Sequence, residues 1–309
     1  MPHNEQIGEP SDSLRHPRPS RRPYGADMTE PQLSRISLVV SDVDGTLLRN
    51  DKTLSARNRQ AVQRLAEHGI GFTINSSRPP FGLRRLSEQL GLKLPVGAYN
   101  GGMVVAPDLA VLEQRLIRPD AALKALAIFR SFAVDAWIFT ADGWSTQNRQ
   151  GAYVARETRT IEVQPTIIAR LEDHIEGLTK MVGVSADPQK LTSCEAAVRG
   201  MIGDDATIAR SQDYYLDITP GGTNKGTIIT DLIGRLGLVA SGIVSIGDME
   251  NDVSMFRQSG FSIAMGNANP VVKQQADAVT LSNEEDGFAD AIERLVLSRA
   301  TRMLDNVRE

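Results

Sequence analysis

Two aspartates separated by one residue follow the first strongly apolar run of the sequence. The stretch VVSDVDGTLL, residues 39–48, presents Asp42 and Asp44 before a glycine and a threonine. Neighbouring carboxylates raise the cost of ionising each other, so a chain that folds only for stability would avoid this arrangement. A site that binds a divalent cation and attacks an electrophile would use it, because the cation offsets the repulsion. The pair is therefore either a reactive centre or a turn with two solvated acids.

Three further polar clusters follow other apolar runs or a glycine-rich turn. They are Ser76, Ser77 and Arg78 after IGFTIN, Lys225 after PGGTN, and Asp248, Asn251 and Asp252 after IVSIG. In an open α/β sheet, ligands bind at the carboxyl ends of the strands. We therefore expect the four clusters to meet at one edge of a sheet.

The residue types in these clusters suit phosphoryl transfer. Three or more carboxylates without histidine or cysteine form a hard oxygen site, which suits Mg²⁺. One carboxylate can act as the nucleophile and form an aspartyl-phosphate. Hydroxyls and backbone N–H groups near Ser76 and Ser77 can hold phosphate oxygens, helped by the start of the following helix. Lys225 supplies a positive charge for the phosphate and the nucleophile.

The elements that position the clusters alternate between strand and helix from residue 36. ISLVVSD is a continuous apolar run, typical of a strand buried on both faces. Ser55 suits a helix N-cap, and apolar residues at helical spacing continue until Gly69. IGFTINSS and PVGAYNGG predict two more strands, with the helix PFGLRRLSEQLG between them. This alternation predicts a parallel sheet with right-handed crossovers.

The same alternation returns after DITPGGTNK. KGTIITDLIGRLGL predicts a helix, IVSIGD a strand and ENDVSMFRQSG a helix, and the pattern continues through FSIAMGN, NPVVKQQA, DAVTLS and DGFADAIERLVLSR. Between these two halves, VDAWIFTADGW, TRTIEVQPTII and KMVGVSADP predict strands in succession, with helices near 120–131 and 188–202. Successive strands separated by turn residues predict an antiparallel α+β module.

The predicted fold is a doubly wound, Rossmann-like α/β core with a parallel sheet and one inserted α+β domain. Residues 35–109 and 213–305 are predicted to form the core, and residues 110–212 the inserted domain. Residues 1–34 are predicted to be a disordered N-terminal tail, with Met28 as a candidate initiator.

Composition excludes several kinds of partner. The 309 residues carry a net charge of −4, which argues against nucleic acid because nucleic-acid-binding proteins usually present a basic surface. No apolar stretch approaches the roughly 18 residues of a membrane helix, and the first 34 residues contain no apolar signal segment. A single cysteine allows neither an intramolecular disulfide nor a thiolate metal cluster. We therefore expect a cytoplasmic protein with a small-molecule partner and leave its oligomeric state open.

Several stretches resemble the haloacid dehalogenase-like hydrolases. DVDGTLL resembles their first motif, and GDMENDVSMF resembles their fourth motif as it occurs in the Cof-type, subfamily IIB phosphatases. YNGG, TNKG, MGNANPVVKQQA and NEEDGFADAI support the resemblance, which spans roughly residues 36–298. It implies a Mg²⁺-dependent phosphatase that forms an aspartyl-phosphate and acts on a sugar phosphate or a cofactor phosphate. It also implies that the inserted module is a C2-type cap, which closes over the site and selects the leaving group.

The resemblance implies a catalytic or metal-binding role for five charged residues and a catalytic role for Ser76, whose hydroxyl would contact the phosphate. Asp42 matches the nucleophile and a Mg²⁺ ligand. Asp44 matches the general acid/base, and its backbone carbonyl matches a metal ligand. Asp248 matches the remaining carboxylate ligand, with Asp252 supporting the water shell of the metal, and Lys225 matches the lysine of the third motif. The presence of both Asp42 and Asp44 favours hydrolysis, because attack by water needs the second acid/base.

The resemblance also implies a phosphate site. Ser76 matches the hydroxyl of the second motif, and Asn251 matches a side chain that contacts the phosphate. Val43, Ser77 and Lys225 complete the predicted set. Many relatives carry Thr-Gly-Arg where this chain has two serines and an arginine, so Ser77 adds a side chain beside the phosphate.

Three other functions share parts of this pattern. Phosphomannomutases have similar motifs and a similar cap, so a phosphosugar mutase is an alternative that would need a bisphosphate activator. A non-catalytic sensor of a phosphorylated metabolite would keep the pocket without turnover. A response-regulator receiver also uses aspartate, lysine and Mg²⁺ on a doubly wound sheet, but it lacks the inserted module and the second aspartate at this spacing.

Each cluster also has an ordinary structural explanation. Lys225 could be a surface lysine at a helix start, although the helix dipole disfavours that position. The two serines could cap a helix, and Asp248 and Asp252 could be an acidic pair at a helix N-terminus. In the inserted module, six residues are candidates for lining a substrate pocket, with the core or the surface as the ordinary alternative: Trp137, Trp144, Arg156, Arg210, Tyr214 and Tyr215.

Overall fold

Strands and helices alternate in the two outer parts of the described chain, and the part between them combines an antiparallel set of strands with three helices. A computed structural model describes residues 35–299. The strands are β1 (Leu38–Ser41), β2 (Gly71–Ile74), β3 (Val96–Ala98), β4 (Met103–Val105), β5 (Val111–Gln114), β6 (Asp135–Phe139), β7 (Trp144–Thr146), β8 (Thr166–Ile167), β9 (Lys180–Val184), β10 (Ala206–Gln212), β11 (Tyr215–Pro220), β12 (Ile243–Gly247), β13 (Phe261–Ala264) and β14 (Ala278–Val279). The predicted tail, residues 1–34, lies outside the described residues.

The helices match most of the predicted helical segments. They are α1 (Ala56–Glu67), α2 (Arg84–Leu90), α3 (Pro119–Ser131), α4 (Val154–Ile161), α5 (Pro188–Ile202), α6 (Lys225–Leu236), α7 (Val253–Phe256), α8 (Pro270–Lys273) and α9 (Gly287–Asp290). Short 3-10 turns span Pro80–Leu83, Tyr99–Gly101, Leu171–His174, Gly203–Asp205, Ala240–Gly242, Glu250–Asp252 and Asn283–Glu285, and a π-helical segment, Ala291–Leu297, continues α9. No helix among residues 35–299 is long and apolar enough to cross a membrane.

Five parallel strands form the central sheet in the order β14-β13-β12-β1-β2. The side chains of β1 are buried on both faces of this sheet. Val39 belongs to the apolar cluster that includes Leu65 of α1, whereas Leu38 and Val40 belong to the cluster that includes Leu232 of α6. Helices on both faces of a parallel sheet confirm the predicted doubly wound core.

A six-stranded sheet lies between the two halves of the core in sequence. Its order is β10-β11-β9-β6-β7-β8, and all neighbours are antiparallel except β7 and β8. Residues of α3 and α5 share one apolar cluster with this sheet. The sheet confirms the predicted antiparallel α+β module and ends at Pro220, past the predicted boundary at residue 212. The domain boundaries themselves stay a prediction.

The prediction of a strand over TRTIEVQPTII was wrong for its first half. Residues 158–161 are the end of α4, and only Thr166–Ile167 pairs as a strand. Threonine and isoleucine favour strands locally. The helix forms because Val154 and Ile161, seven residues apart, are both buried. Ile161 packs so closely against Gly82 that a Cβ there would lie 3.0 Å from it, so tertiary packing decides the conformation.

The third strand was also predicted with the wrong pairing. β3 pairs antiparallel with β4, and β4 pairs antiparallel with β5, which makes a separate three-stranded sheet. A single parallel bridge between Asn75 and Gly97 links β3 to the end of β2. The YNGG segment reverses the chain directly after β3, since Tyr99, Asn100 and Gly101 all have positive φ angles. A tight reversal favours pairing with the next strand.

Asn58 ties the loop after β1 to the C-terminal part of the core. Its Nδ2 donates to the carbonyl oxygen of Leu47 at 2.9 Å, and its Oδ1 accepts from the N–H of Ala289 at 3.1 Å. We expect Asn58→Ala to lower the free energy of unfolding by about 3 kcal/mol, because two buried backbone groups lose their partners. Urea denaturation measures this change. The exposed Gln60→Ala on the same helix is the control and should stay within about 0.5 kcal/mol; equal losses would contradict the assignment.

Candidate active site

The carboxyl ends of the neighbouring strands β1 and β12 bring two of the predicted clusters together. The Asp42 N–H donates to the carbonyl oxygen of Ile246 at 2.9 Å. Strand β1 lies between β12 and β2, where the strand order reverses direction, and such a switch point opens a crevice for ligands. The side chains of Asp42, Asp248 and Asp252 each present a carboxylate oxygen within 4.8 Å of the others.

Lys225 is the first residue of α6 and lies between two of these carboxylates. Its Nζ is 2.5 Å from Asp42 Oδ1 and 2.6 Å from Asp252 Oδ1. Asn224 caps the helix by accepting the N–H of Gly226, which fixes where α6 begins. Burial lowers the pKa of Lys225, but Asp252 and Asp42 outweigh it and raise that pKa above its ordinary value. The ammonium is therefore a permanent charge of the site.

The second oxygen of Asp252 accepts the N–H groups of Asp248 and Met249, both at 2.9 Å. Asp252 therefore uses both oxygens to organise the loop and the lysine. Gly247 permits this close approach, because a Cβ there would lie 2.5 Å from the Asp252 side chain.

The charge of Asp248 is neutralised less than the charges of Asp42 and Asp252, which both pair with Lys225. Its Oδ1 accepts from Thr46 at 2.9 Å, and its Oδ2 accepts from Asn267 at 3.2 Å. Burial, followed by the charges of Asp42 and Asp252, raises the pKa of Asp248 well above its usual range. Three buried carboxylates around one ammonium leave an excess of negative charge. The all-oxygen donor set and this excess fit a hard divalent cation.

Burial also raises the pKa of Asp42 from 3.8 to about 6, although Lys225 opposes the rise. A cation beside Asp42 would favour its ionised form, which is the nucleophilic form. The site is thus electrostatically incomplete without a second positive charge.

Asp44 has different partners from Asp42. Arg78 donates two hydrogen bonds of 2.7 Å to the Asp44 carboxylate, from Nε to Oδ2 and from Nη2 to Oδ1. Lys52 Nζ is also 2.7 Å from Asp44 Oδ1. Burial raises the pKa of Asp44, but Arg78 and then Lys52 outweigh it and hold that pKa well below its usual range. The two aspartates of the first motif are therefore held in different protonation environments.

The predicted phosphate residues separate into two groups. Ser77, Lys225 and Asn251 line a cavity of about 60 Å³ together with Asp42 and Asp44. Val43 and Ser76 are buried beside this cavity and are not among its lining residues. The hydroxyl of Ser76 accepts the N–H of Arg78 at 3.1 Å. This is a local turn contact and not the helix cap given as the alternative, since the N-cap of the following 3-10 helix is Pro79.

The antiparallel sheet and α4 complete the cavity. Four of the six candidate residues of the inserted module line it: Trp137, Arg156, Tyr214 and Tyr215. The other two lie elsewhere. Trp144 is a core residue that stacks on Phe139, and Arg210 pairs with Glu195.

Several residues that contact the site carry no predicted role. They are Thr46, Lys52, Asn100, Glu157, Lys180, Asp217 and Asn267. Thr46, Asn100 and Asn267 lie inside the motifs DVDGTLL, YNGG and MGNANPVVKQQA, so the motifs contained a signal for them. Lys180 and Asp217 are single charged residues in strands, and only the three-dimensional pairing reveals them.

Comparison with known proteins identifies the class that this fold and site define. Residues 39–292 match the family model of the haloacid dehalogenase-like hydrolases, and the chain belongs to that family. This confirms the resemblance seen in the motifs and classes the chain as a phosphoric monoester hydrolase.

Individual relatives cover most of the chain. A Streptococcus pyogenes protein with a provisional phosphatase assignment is 31% identical over 85% of this chain and 99% of its own length. The 5-amino-6-(5-phospho-D-ribitylamino)uracil phosphatase YcsE of Bacillus subtilis is 25% identical over 85% of this chain and 96% of its own length. The crystal structure of a haloacid dehalogenase-like hydrolase from Bacteroides thetaiotaomicron superposes with a TM-score of 0.76 at 29% identity, over 84% of this chain and 99% of that one.

A divalent cation should stabilise the protein more at about pH 8 than at about pH 5. Burial raises the pKa of Asp42 from 3.8 to about 6, so protonation of Asp42 stabilises the fold at low pH, and this contribution is lost as the pH rises through about 6. A cation needs the deprotonated ligand and competes with the proton. Thermal unfolding with and without Mg²⁺ at the two pH values measures the difference.

The control for this experiment is Asp142→Asn, an exposed carboxylate outside the cluster, which should keep the cation response. Asp248→Asn should lose it, since the variant removes one of the three clustered carboxylates. Equal stabilisation at both pH values would contradict a carboxylate-bound cation.

Proposed function

We propose that the chain is a Mg²⁺-dependent phosphatase that hydrolyses a small phosphorylated metabolite through an aspartyl-phosphate on Asp42. The observation that carries this proposal is the buried cluster of Asp42, Asp248 and Asp252 around Lys225, with Asp44 beside it at the cavity. The cluster has an excess of negative charge that a metal cation would offset, and the metal and Lys225 together would then attract the anionic phosphate ester. YcsE, by its name, removes phosphate from a ribityl compound, which supports a sugar phosphate or a cofactor phosphate as the substrate class.

Asp42 would attack phosphorus through a carboxylate oxygen. A bond forms between that oxygen and phosphorus, and the bond from phosphorus to the leaving alcohol oxygen breaks with its electron pair. Lys225 stays charged beside Asp42 and offsets the negative charge that collects around the reacting phosphoryl group.

Asp44 would transfer protons in both steps. The alcohol oxygen takes a proton from Asp44 as it leaves, and Asp44 then removes a proton from the water that attacks the aspartyl-phosphate. As the water oxygen bonds to phosphorus, the bond from phosphorus to the Asp42 oxygen breaks, which releases inorganic phosphate and restores the Asp42 carboxylate. In this structure Arg78 and Lys52 favour the ionised carboxylate, the form needed in the second step. A phosphate dianion competes for the same two cations and raises the pKa of Asp44, which favours the protonated form needed in the first step.

The residues present fit Mg²⁺. The side chains of Asp42 and Asp248 and the backbone carbonyl of Asp44 would hold it, with Asp252 supporting its water shell. When bound, Mg²⁺ neutralises charge on the carboxylates and on the phosphate. Asp252 suits a supporting role because Lys225 and two backbone N–H groups already occupy its oxygens.

The inserted module would act as a C2-type cap over the phosphate site. Trp137, Arg156, Tyr214 and Tyr215 support this role, since they line the same cavity as Asp42. Closing the cavity excludes bulk water and leaves room for one positioned molecule in the second step. Ser77 and Asn251 would contact the phosphate, while Ser76 and Val43 would act through the backbone of their loops.

The test is phosphate release from a panel of phosphorylated sugars and cofactors, with Mg²⁺ or with EDTA. We expect turnover that needs the metal and falls at least about 1,000-fold in Asp42→Asn, because the amide is not a nucleophile. Asp51→Asn, an exposed aspartate outside the cavity, is the control and should behave as wild type. Absence of release across the panel, followed by phosphate migration when a bisphosphate activator is added, would replace the phosphatase by a mutase.

Asp44→Asn should slow steady-state turnover by about 100- to 10,000-fold, the usual contribution of general acid–base catalysis. With a substrate whose leaving group needs no proton, such as p-nitrophenyl phosphate, the first step should survive and the second should not. Rapid-quench kinetics should then show a burst of p-nitrophenol equal to the enzyme concentration. Loss of the burst with this substrate would show that Asp44 is needed for the attack by Asp42 instead.

A further inference from the structure

A buried ion pair of the antiparallel sheet lies beside the part of the cavity that is proposed to hold the phosphate. Lys180 begins β9, Asp217 lies in the neighbouring strand β11, and Nζ is 2.8 Å from Oδ2. The two side chains are 7% and 1% exposed. Burying two charges costs desolvation that their attraction often only balances, so such a pair is weak support for a role in stability alone.

Lys180 has a second contact, which reaches the core. Its Nζ donates to the carbonyl oxygen of Ser77 at 3.2 Å. Ser77 follows β2 and lines the cavity together with Lys180 and Asp42. The lysine therefore holds the backbone of a proposed phosphate-binding residue from the side of the antiparallel sheet.

Two side-chain amides, those of Asn100 and Asn251, link Asp217 by hydrogen bonds to the other side of the proposed phosphate site. Asn100 Nδ2 donates to Asp217 Oδ2 at 3.2 Å, and Asn251 Nδ2 donates to Asn100 Oδ1 at 3.0 Å. A carboxylate oxygen accepts hydrogen bonds, so the NH₂ group of Asn100 faces Asp217. The side-chain oxygen of Asn100 therefore faces Asn251. That oxygen in turn fixes the orientation of the Asn251 amide, whose NH₂ group has a second N–H that can donate to a ligand.

The backbone holds Asn100 in the position that this chain of contacts needs. Asn100 has a φ of 55°, in the left-handed region, and its N–H donates to the carbonyl oxygen of Ser76 at 3.0 Å. Residues other than glycine adopt this conformation at a cost and mostly where the surroundings enforce it.

Two buried acceptors of the same network lack a hydrogen-bond partner among residues 35–299. They are Asp217 Oδ1 and Asn251 Oδ1. A buried polar network that serves stability alone is usually fully satisfied. Both atoms are acceptors, so a ligand would meet them with a donor such as a hydroxyl group, whereas phosphate oxygens would meet the N–H groups of the network.

We propose that Lys180 and Asp217 are positioning residues that orient Ser77 and Asn251 for binding the phosphate group of the substrate. This inference rests on the proposed phosphatase function. Both charged residues belong to the antiparallel sheet, whereas Ser77, Asn100 and Asn251 belong to loops of the core. The phosphate site is therefore complete only when the antiparallel sheet is in the position seen here, which couples phosphate affinity to the position of the cap.

The experiment compares Asp217→Asn and Lys180→Met with wild type. Three quantities are measured in the presence of Mg²⁺: the inhibition constant of inorganic phosphate, KM and kcat. We expect phosphate to bind about 10- to 100-fold more weakly and KM to rise in parallel, with a smaller effect on kcat, because the lost contacts are charge-assisted hydrogen bonds. Lys180→Arg keeps the charge and should recover part of the affinity.

The matched control is Glu195→Gln, which also breaks ion pairs of the inserted module. Glu195 pairs with Arg199 and Arg210 and does not line the cavity. Its thermal unfolding temperature should fall without a change in the phosphate inhibition constant. A purely structural role for Lys180 and Asp217 predicts the same behaviour in their variants.

A single variant that leaves one buried charge unpaired could fail to fold. The double variant Lys180→Met with Asp217→Leu removes both charges and avoids that cost. It should fold, hydrolyse substrate and bind phosphate as weakly as the single variants. Wild-type phosphate affinity in this folded double variant would overturn the inference while leaving the phosphatase intact. A wild-type protein that neither hydrolyses the panel nor binds phosphate would overturn the proposed function and the inference with it.

Discussion

The contact of one buried ammonium with two carboxylates is the constraint on which the rest of the structure depends. Lys225 neutralises part of the charge of Asp42 and Asp252. Without it, oxygens of three carboxylates would lie within 4.8 Å of one another without the ammonium that pairs with two of them. Like charges at this separation cost several kcal/mol in a low dielectric medium. The arrangement persists because the lysine arrives at a fixed place, the first turn of α6, and because the remaining excess of negative charge is left for ligands to offset.

The parallel sheet provides that fixed place. β1 and β12 are neighbours although about 200 residues separate them, so the first and fourth motifs meet at one edge. Glycines at two positions let the loops approach closely enough. Gly45 has a φ of +86°, and a Cβ there would lie 2.4 Å from Asp248 Oδ2, while a Cβ at Gly247 would meet Asp252. Any side chain at these two positions would separate the carboxylates that define the site.

The antiparallel sheet contributes both lining side chains and polar contacts to the cavity. The ring of Tyr215 contacts those of Trp137 and Tyr214 edge to face. The buried Lys180 and Asp217 of the sheet form hydrogen bonds with Ser77 and Asn100 of the core. In consequence, the side of the cavity that would select the leaving group and the side that would hold the phosphate share one polar network. Binding energy from the leaving group can thus affect the order of the phosphate site, which is how remote contacts contribute to catalysis.

The sequence by itself determined the elements whose signals are local. The apolar run of β1, the N-cap Ser55, the start of α6 at Lys225 and the helices α3 and α5 were predictable because capping and periodicity act within a few residues. The motifs also predicted which carboxylates would cluster. The tertiary structure decided the helical state of α4, the two hydrogen bonds from Arg78 to Asp44 and the contacts that link Lys180 and Asp217 to the proposed phosphate site. These features depend on partners far apart in the chain, and the free energy of burying a side chain against such a partner exceeds the small local preferences that a sequence pattern reports.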